Sequence, residues 1–269
     1  MWQNWRKEIS LVSVKHMTES GVIGQQRGET EDENQDLFWK AAQCVESIQP
    51  EYWMFFWEQG IHFDGVNGVS AGALHGCSFV SGQKGRSLRY IKKYRNDKHF
   101  MSWWSFLHTG EVVGRQFCYH DIPERLDPFD YEAFIESDTA FYATCTNVET
   151  GKAEYIKITD MMTQIDAMRA SASMPYVSKI VNYKGMKLLD GGCADSIPVE
   201  AFKRMGYDRI VVVLTRETGF VKKPENTKMA EIRYHKYPEF VHTLQNGDIT
   251  FIITVWMLLR NLNGRVRYS

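Results

Sequence analysis

The run Asp64-Gly65-Val66-Asn67-Gly68-Val69-Ser70-Ala71-Gly72-Ala73-Leu74 restricts the fold of this chain more than any other segment. A short apolar stretch leads into it and a small-residue stretch follows, so it reads as strand, sharp turn and helix. Gly68 and Gly72 stand two residues either side of Ser70, and their missing side chains let strand and helix approach closely around a strained turn. Ser70 is thereby exposed at the helix N-terminus, where unpaired N–H groups and the helix dipole favour a developing negative charge. The placement predicts a serine nucleophile; the competing reading is an ordinary glycine turn.

A serine nucleophile needs a base. In Met186-Lys187-Leu188-Leu189-Asp190-Gly191-Gly192 an apolar strand ends in an aspartate, and two glycines turn the chain away without covering the carboxylate. A strand-end aspartate of this kind can take a proton directly from a serine hydroxyl. Taken alone, Asp-Gly-Gly is also a common turn. Asp195 reads as a loop or cap residue, because Pro198 reads as the first turn of the next helix.

The serine elbow and the Asp190-Gly191-Gly192 turn, about 120 residues apart and in this order, resemble the patatin-like phospholipase family. Residues 141–152 resemble its central strand and turn, 167–175 the helix ahead of the aspartate strand, and 207–215 a later buried parallel strand. The likeness runs over about residues 58–242. It implies an α/β fold, a three-layer sandwich whose mostly parallel central sheet of about five or six strands is flanked by helices. It also implies a Ser–Asp dyad without histidine: Ser70 as nucleophile, Asp190 as general base, and Gly68, Gly72, Gly191 and Gly192 as supporting motif glycines. The implied substrate is a lipid or other fatty-acyl ester, and no cofactor is implied.

The same family carries an upstream Gly-Gly-Gly-x-Arg-Gly-like loop whose amides form an oxyanion hole, and each such donor is worth about 100- to 1,000-fold in rate. No such loop is written here: residues 33–57 hold three tryptophans, Pro50 in mid-segment and no clean period. The genetic code offers a reason. Joining each codon's third base to the first two bases of the next largely fixes a hidden codon, with only its first base free. Read that way, Trp39 to Trp57 can encode Glu-Gly-Gly-Ala-Met-Arg-Gly-Ile-Tyr-Thr-Ala-Gly-Val-Leu-Asp-Val-Phe-Leu, and the codons just before it Arg-Leu-Val-Leu. That is a strand, a glycine-rich loop with an arginine, and an amphipathic helix running into Glu58. Residues 33–57 are therefore expected to be an out-of-frame translation. Beyond Thr250 the same offset yields a tail closer to the family's, so residues 251–269 carry the same expectation, with an amphipathic C-terminal helix as the other reading.

The remaining features bound the chain. Its 269 residues suffice for one α/β domain, and 43% apolar content with a net charge of −1 indicates a soluble globular protein with no overall nucleic-acid footprint. The expected organisation is a disordered or artefactual segment over 1–32, one domain over 33–250 and a tail over 251–269. Five cysteines, an odd number without metal-like pairing, predict free thiols in a reducing cytoplasm, with Cys77 and Cys145 in the core. The polar first residues carry no cleavable signal, and the apolar run 251–259 is far short of the roughly 20 residues a membrane helix needs. Eight histidines scatter without ligand spacing, which predicts no metal. Residues 84–95 form a basic amphipathic helix, read as a solvated face or as peripheral contact with anionic lipid. Residues 101–107 and 117–119 suit an apolar lid, an acyl pocket or ordinary core. The oligomeric state stays open.

Two rival functions remain at this stage. One is an α/β-hydrolase triad of Ser70, Asp190 or Asp195, and His235 or His242. The other is a catalytically impaired remnant or lipid-binding relative that lacks the oxyanion hole.

Overall fold

The structure is a computed structural model and describes residues 10–13, 56, 62–207, 209–214, 227–246 and 254–259. Its strands are β1 (Ser10–Ser13), β2 (Gly65–Val69), β3 (Ala140–Asn147), β4 (Ala153–Ile158), β5 (Val181–Tyr183), β6 (Met186–Asp190), β7 (Arg209–Leu214) and β8 (Thr254–Leu259). Its α-helices are α1 (Ala71–Val80), α2 (Arg86–Tyr94), α3 (Trp103–Thr109), α4 (Tyr131–Glu136), α5 (Ile165–Ser171), α6 (Val199–Arg204), α7 (Thr227–Arg233) and α8 (Pro238–Asn246). A π-helix spans Phe117–Leu126.

One sheet holds all eight strands in the order β1-β7-β8-β2-β3-β6-β5, with β4 added alongside β3. The fold is α/β, as the sequence predicts. The sheet is mixed rather than mostly parallel: among the described residues, β1–β7 and β2–β3 are parallel, and five further pairings are antiparallel. Tight hairpins account for two of those five. Lys184 and Gly185, both at positive φ (47° and 81°), close β5 onto β6 in the two-residue manner that suits strand twist. Gly151, at φ 67°, helps to return β3 onto β4.

The two faces of the sheet are buried by alternate residues of the same strands. Val66, Phe141, Ala143 and Cys145 share a cluster with Ala73 and Cys77 of α1 and Ala167 and Met168 of α5. Val69 packs on the other side with Phe202 of α6, Tyr207, Ile210 and Val212, and Tyr142 joins that cluster. Both cysteines expected in the core are there, Cys77 at 4% and Cys145 at 0% exposure. A third cluster sets Leu189 and Cys193 against Ala230 of α7 and Phe240 of α8.

Residues 254–259 form a strand between β2 and β7, which replaces the helix considered for the C-terminus; Thr, Val and Trp favour extended backbone. Within the first 32 residues Ser10–Ser13 pairs with β7, and the rest of that segment lies outside the described residues. The out-of-frame reading of residues 33–57 also falls outside them, apart from Phe56, whose ring meets Phe63 edge-on at 5.3 Å. Among the described residues, no helix is long and apolar enough to cross a membrane.

Candidate active site

The site is built by one edge of β3. Along that edge β2 runs parallel to β3 and ends where Val69 faces Thr144, while β6 runs antiparallel and ends where Asp190 faces Cys145. The opposite edge is occupied by β4. Two strands thus arrive from opposite directions on adjacent rungs, and the next residue after β2 meets the last residue of β6. Those residues are Ser70 and Asp190.

Ser70 adopts φ 58° and ψ −129°, a conformation a side chain rarely occupies, and stands at the N-cap of the ten-residue helix α1. The turn is possible because α1 comes back onto β2 at Gly68: a Cβ there would lie 2.2 Å from the Ala73 Cα. The first amides of α1 have no acceptor within the helix, so the positive end of the helix faces the half-exposed hydroxyl.

The Ser70 hydroxyl donates to Asp190 Oδ2 at 2.6 Å, and the Gly192 N–H donates to Asp190 Oδ1 at 2.8 Å. Both carboxylate oxygens are therefore held, one by the serine and one by the backbone turn. Asp190 is 1% exposed. Burial pushes its pKa from the ordinary 3.8 up to about 6, against the pull of the Ser70 and Gly192 hydrogen bonds. A carboxylate ionised at neutral pH yet basic enough to accept a proton has the character of a general base. Gly191 is required by close approach, since a Cβ there would meet the Thr144 carbonyl at 2.2 Å.

Several supporting residues were not singled out by the sequence. The Ser171 hydroxyl, fully buried at the end of α5, accepts from the Ser70 N–H at 3.2 Å and donates to the Thr144 carbonyl at 2.7 Å. It tethers the strained elbow to β3. The Thr146 hydroxyl donates to the Asp190 carbonyl at 2.7 Å and accepts from the Ala194 N–H at 3.1 Å, and the Ser173 carbonyl accepts from the Asp190 N–H at 2.9 Å. Thr144 and Thr146 had a legible signal: they are polar residues at alternate positions of a buried strand. Ser171, in a run of small residues, had none.

The other candidates are dispersed. Asp195 accepts from the Tyr155 hydroxyl at 2.6 Å, and burial raises its pKa too; it fixes the loop before α6, with Pro198 at the N-cap. His235 is exposed, with Nδ1 3.2 Å from the Ile232 carbonyl, and His242 is exposed on α8. The Ser70 hydroxyl bonds directly to Asp190, without the intervening imidazole a triad requires. In the basic stretch, Arg86 is buried against the Asp127 carbonyl and Arg89 grips the Asp127 carboxylate at 2.7 and 2.8 Å. Cys118 and Tyr119 line a small apolar cavity with Leu74, Ile122, Met161 and Met168. Among the described residues, no group of three or more His, Cys, Asp or Glu side chains is arranged to hold a metal.

The sequence model of the patatin-like phospholipase family matches residues 39–203, more than half of the chain, and the match takes in both strand ends of this site.

Proposed function

The chain belongs to the patatin-like phospholipase family, and from that premise we propose that it is a lipid acyl hydrolase working through a Ser70–Asp190 dyad and an acyl-enzyme. Asp190 takes the proton from the Ser70 hydroxyl as the oxygen attacks the ester carbonyl carbon. The tetrahedral oxyanion forms beside the free amides at the start of α1. Collapse breaks the ester C–O bond, and the proton on Asp190 passes to the departing alcohol or lysolipid. Water then attacks the acyl-enzyme, Asp190 receives its proton and returns it to Ser70, and the fatty acid leaves.

The observation that carries this reading is the 2.6 Å hydrogen bond between a half-exposed serine hydroxyl and a buried carboxylate whose other oxygen is already occupied. Gly68, Gly191 and Gly192 serve it by permitting the two turns, with Gly72 as the remaining motif glycine. The working compartment we infer is the cytoplasm, supported by the free thiols of Cys77, Cys118 and Cys145 among the described residues. No cofactor is needed for these steps.

The test is hydrolysis of a phospholipid and of a short p-nitrophenyl ester by Ser70→Ala and Asp190→Asn, with the fold of each verified by circular dichroism. Both variants should lose turnover by about 10⁴-fold or more, as for other nucleophile and base deletions. Retained turnover in either one would refute the dyad. A fluorophosphonate probe should label Ser70 in the wild-type protein and nothing in Ser70→Ala.

A further inference from the structure

Helix α3 buries one residue, Ser105, although four of its seven side chains are Trp103, Trp104, Phe106 and Leu107. Ser105 is its anchor: the hydroxyl donates to the Glu111 carbonyl at 2.9 Å, and its N–H is capped by the Ser102 hydroxyl. The apolar side chains face outward. Leu107 is 79% exposed and Trp104 39%, while Trp103 and Phe106 are half-buried against each other. Clustered exposure of this kind marks an interaction surface.

The charge around it identifies the partner's chemistry. Ring contacts run from Tyr94 at the end of α2 to Phe117, His99 and Trp104, at 5.4, 6.0 and 5.0 Å, so the end of α2 and α3 form one surface. Lys92, Lys93, Arg95 and Lys98 are exposed there, and Lys98 Nζ sits 4.9 Å above the Trp104 ring. The single acid in that stretch, Asp97, is engaged by His99 at 2.9 Å. Apolar and indole side chains beside a row of ammonium groups match the boundary between acyl chains and anionic headgroups.

We propose that α3 and the basic end of α2 form the face by which this protein docks on an anionic lipid bilayer. Trp104 and Leu107 sink into the headgroup–acyl boundary, and Lys92, Lys93 and Lys98 meet anionic headgroups. The inference rests on the lipid-hydrolase reading only for why a bilayer is visited. A chain of non-covalent contacts links the face to the site: Glu111, just past α3, pairs at 3.4 Å with Arg169, two residues before Ser171, whose hydroxyl holds the Ser70 amide.

Binding is measured by co-sedimentation with phosphatidylcholine vesicles, with and without phosphatidylglycerol, in a Ser70→Ala background, so that the result does not depend on turnover. Trp104→Ala/Leu107→Ser should lower partitioning by at least about 10-fold on both vesicle types. Lys92→Gln/Lys93→Gln/Lys98→Gln should abolish the gain from phosphatidylglycerol, about fivefold per cation. Leu107→Ser alone, at so exposed a position, leaves the fold intact and should still weaken binding severalfold. Unchanged partitioning in the double variant overturns the proposal. So does a change in its oligomeric state by light scattering, which would assign the face to a second copy of the chain. With Ser70 restored, the double variant should hydrolyse a soluble short-chain ester at the unmodified rate; if the dyad reading fails, that assay is silent in every variant while the vesicle result stands.

Discussion

Asp190 is basic because burial strips hydration from its charged form, and only hydrogen bonds from Ser70 and Gly192 offset the loss. With that pKa pushed up to about 6, kcat/KM for ester hydrolysis should fall as pH drops through about 6, following one proton, and a profile flat to pH 4 would remove Asp190 as the base. The same shift makes a stability prediction of definite sign. A folded-state pKa raised above the unfolded one favours folding fully below pH about 4, and this contribution is lost as pH rises through about 6. Ionised Asp190 thus costs about 3 kcal/mol at pH 8, at roughly 1.4 kcal/mol per tenfold in acidity. Asp190→Asn should abolish turnover yet unfold at higher denaturant than the unmodified protein at pH 8, with no gain at pH 4. Ser171 makes the complementary case. Ser171→Ala leaves a buried N–H at the strained serine unsatisfied, at about 1–3 kcal/mol, and should lower kcat about 10-fold with little change in KM. A KM effect of the same size would assign Ser171 to substrate binding instead.

At the scale of elements, the site depends on where two strands stop. Had β2 continued one rung further along β3, its backbone would have met β6 head-on and displaced Asp190. The turn at Ser70 prevents that, and Gly68 permits the turn. Gly68→Ala would drive a Cβ into the Ala73 backbone, whereas Gly82 differs on both counts: its φ is 68°, and a Cβ there has open space around it. Denaturant melts should therefore show Gly82→Ala losing about 1–2 kcal/mol, the ordinary cost of a left-handed residue. Gly68→Ala should lose more than about 4 kcal/mol or fail to fold, because backbone cannot move aside as a flexible side chain can. Similar losses at the two positions would contradict this account of the elbow. The strand, turn and helix were legible in Gly65 to Leu74 because glycine spacing is a local constraint. The convergence with β6 was not, because it depends on which edge of β3 each strand occupies.

Across the whole molecule, both faces of the sheet are packed, and Phe202, fully buried among Tyr142, Tyr155 and Tyr207, closes the face opposite α1. Phe202→Ala should cost about 3–5 kcal/mol of stability while leaving the pH profile of the remaining folded protein unchanged. The glycine-rich loop that the other frame of residues 33–57 can encode would bear on activity in the same global way. Resequencing codons 30–60 and expressing the restored frame should raise kcat by about 100-fold or more through the added oxyanion donors, and equal turnover of the two forms would remove any need for that loop. What the amino-acid order determined by itself is the chemistry that local constraints encode: a serine between glycines at a strand–helix junction and an aspartate before two glycines, the two runs that carry the family resemblance by which the α/β class was implied. These follow from backbone sterics and periodicity within a dozen residues. Tertiary structure alone decided the rest. It made the sheet mixed, ended β2 and β6 on adjacent rungs so that Ser70 meets Asp190, raised the aspartate's pKa by burial, brought the Ser171 hydroxyl to the Ser70 amide, and left the apolar side of α3 facing outward. Each of these depends on contacts between residues distant in sequence, where register and burial, not propensity, carry the free energy.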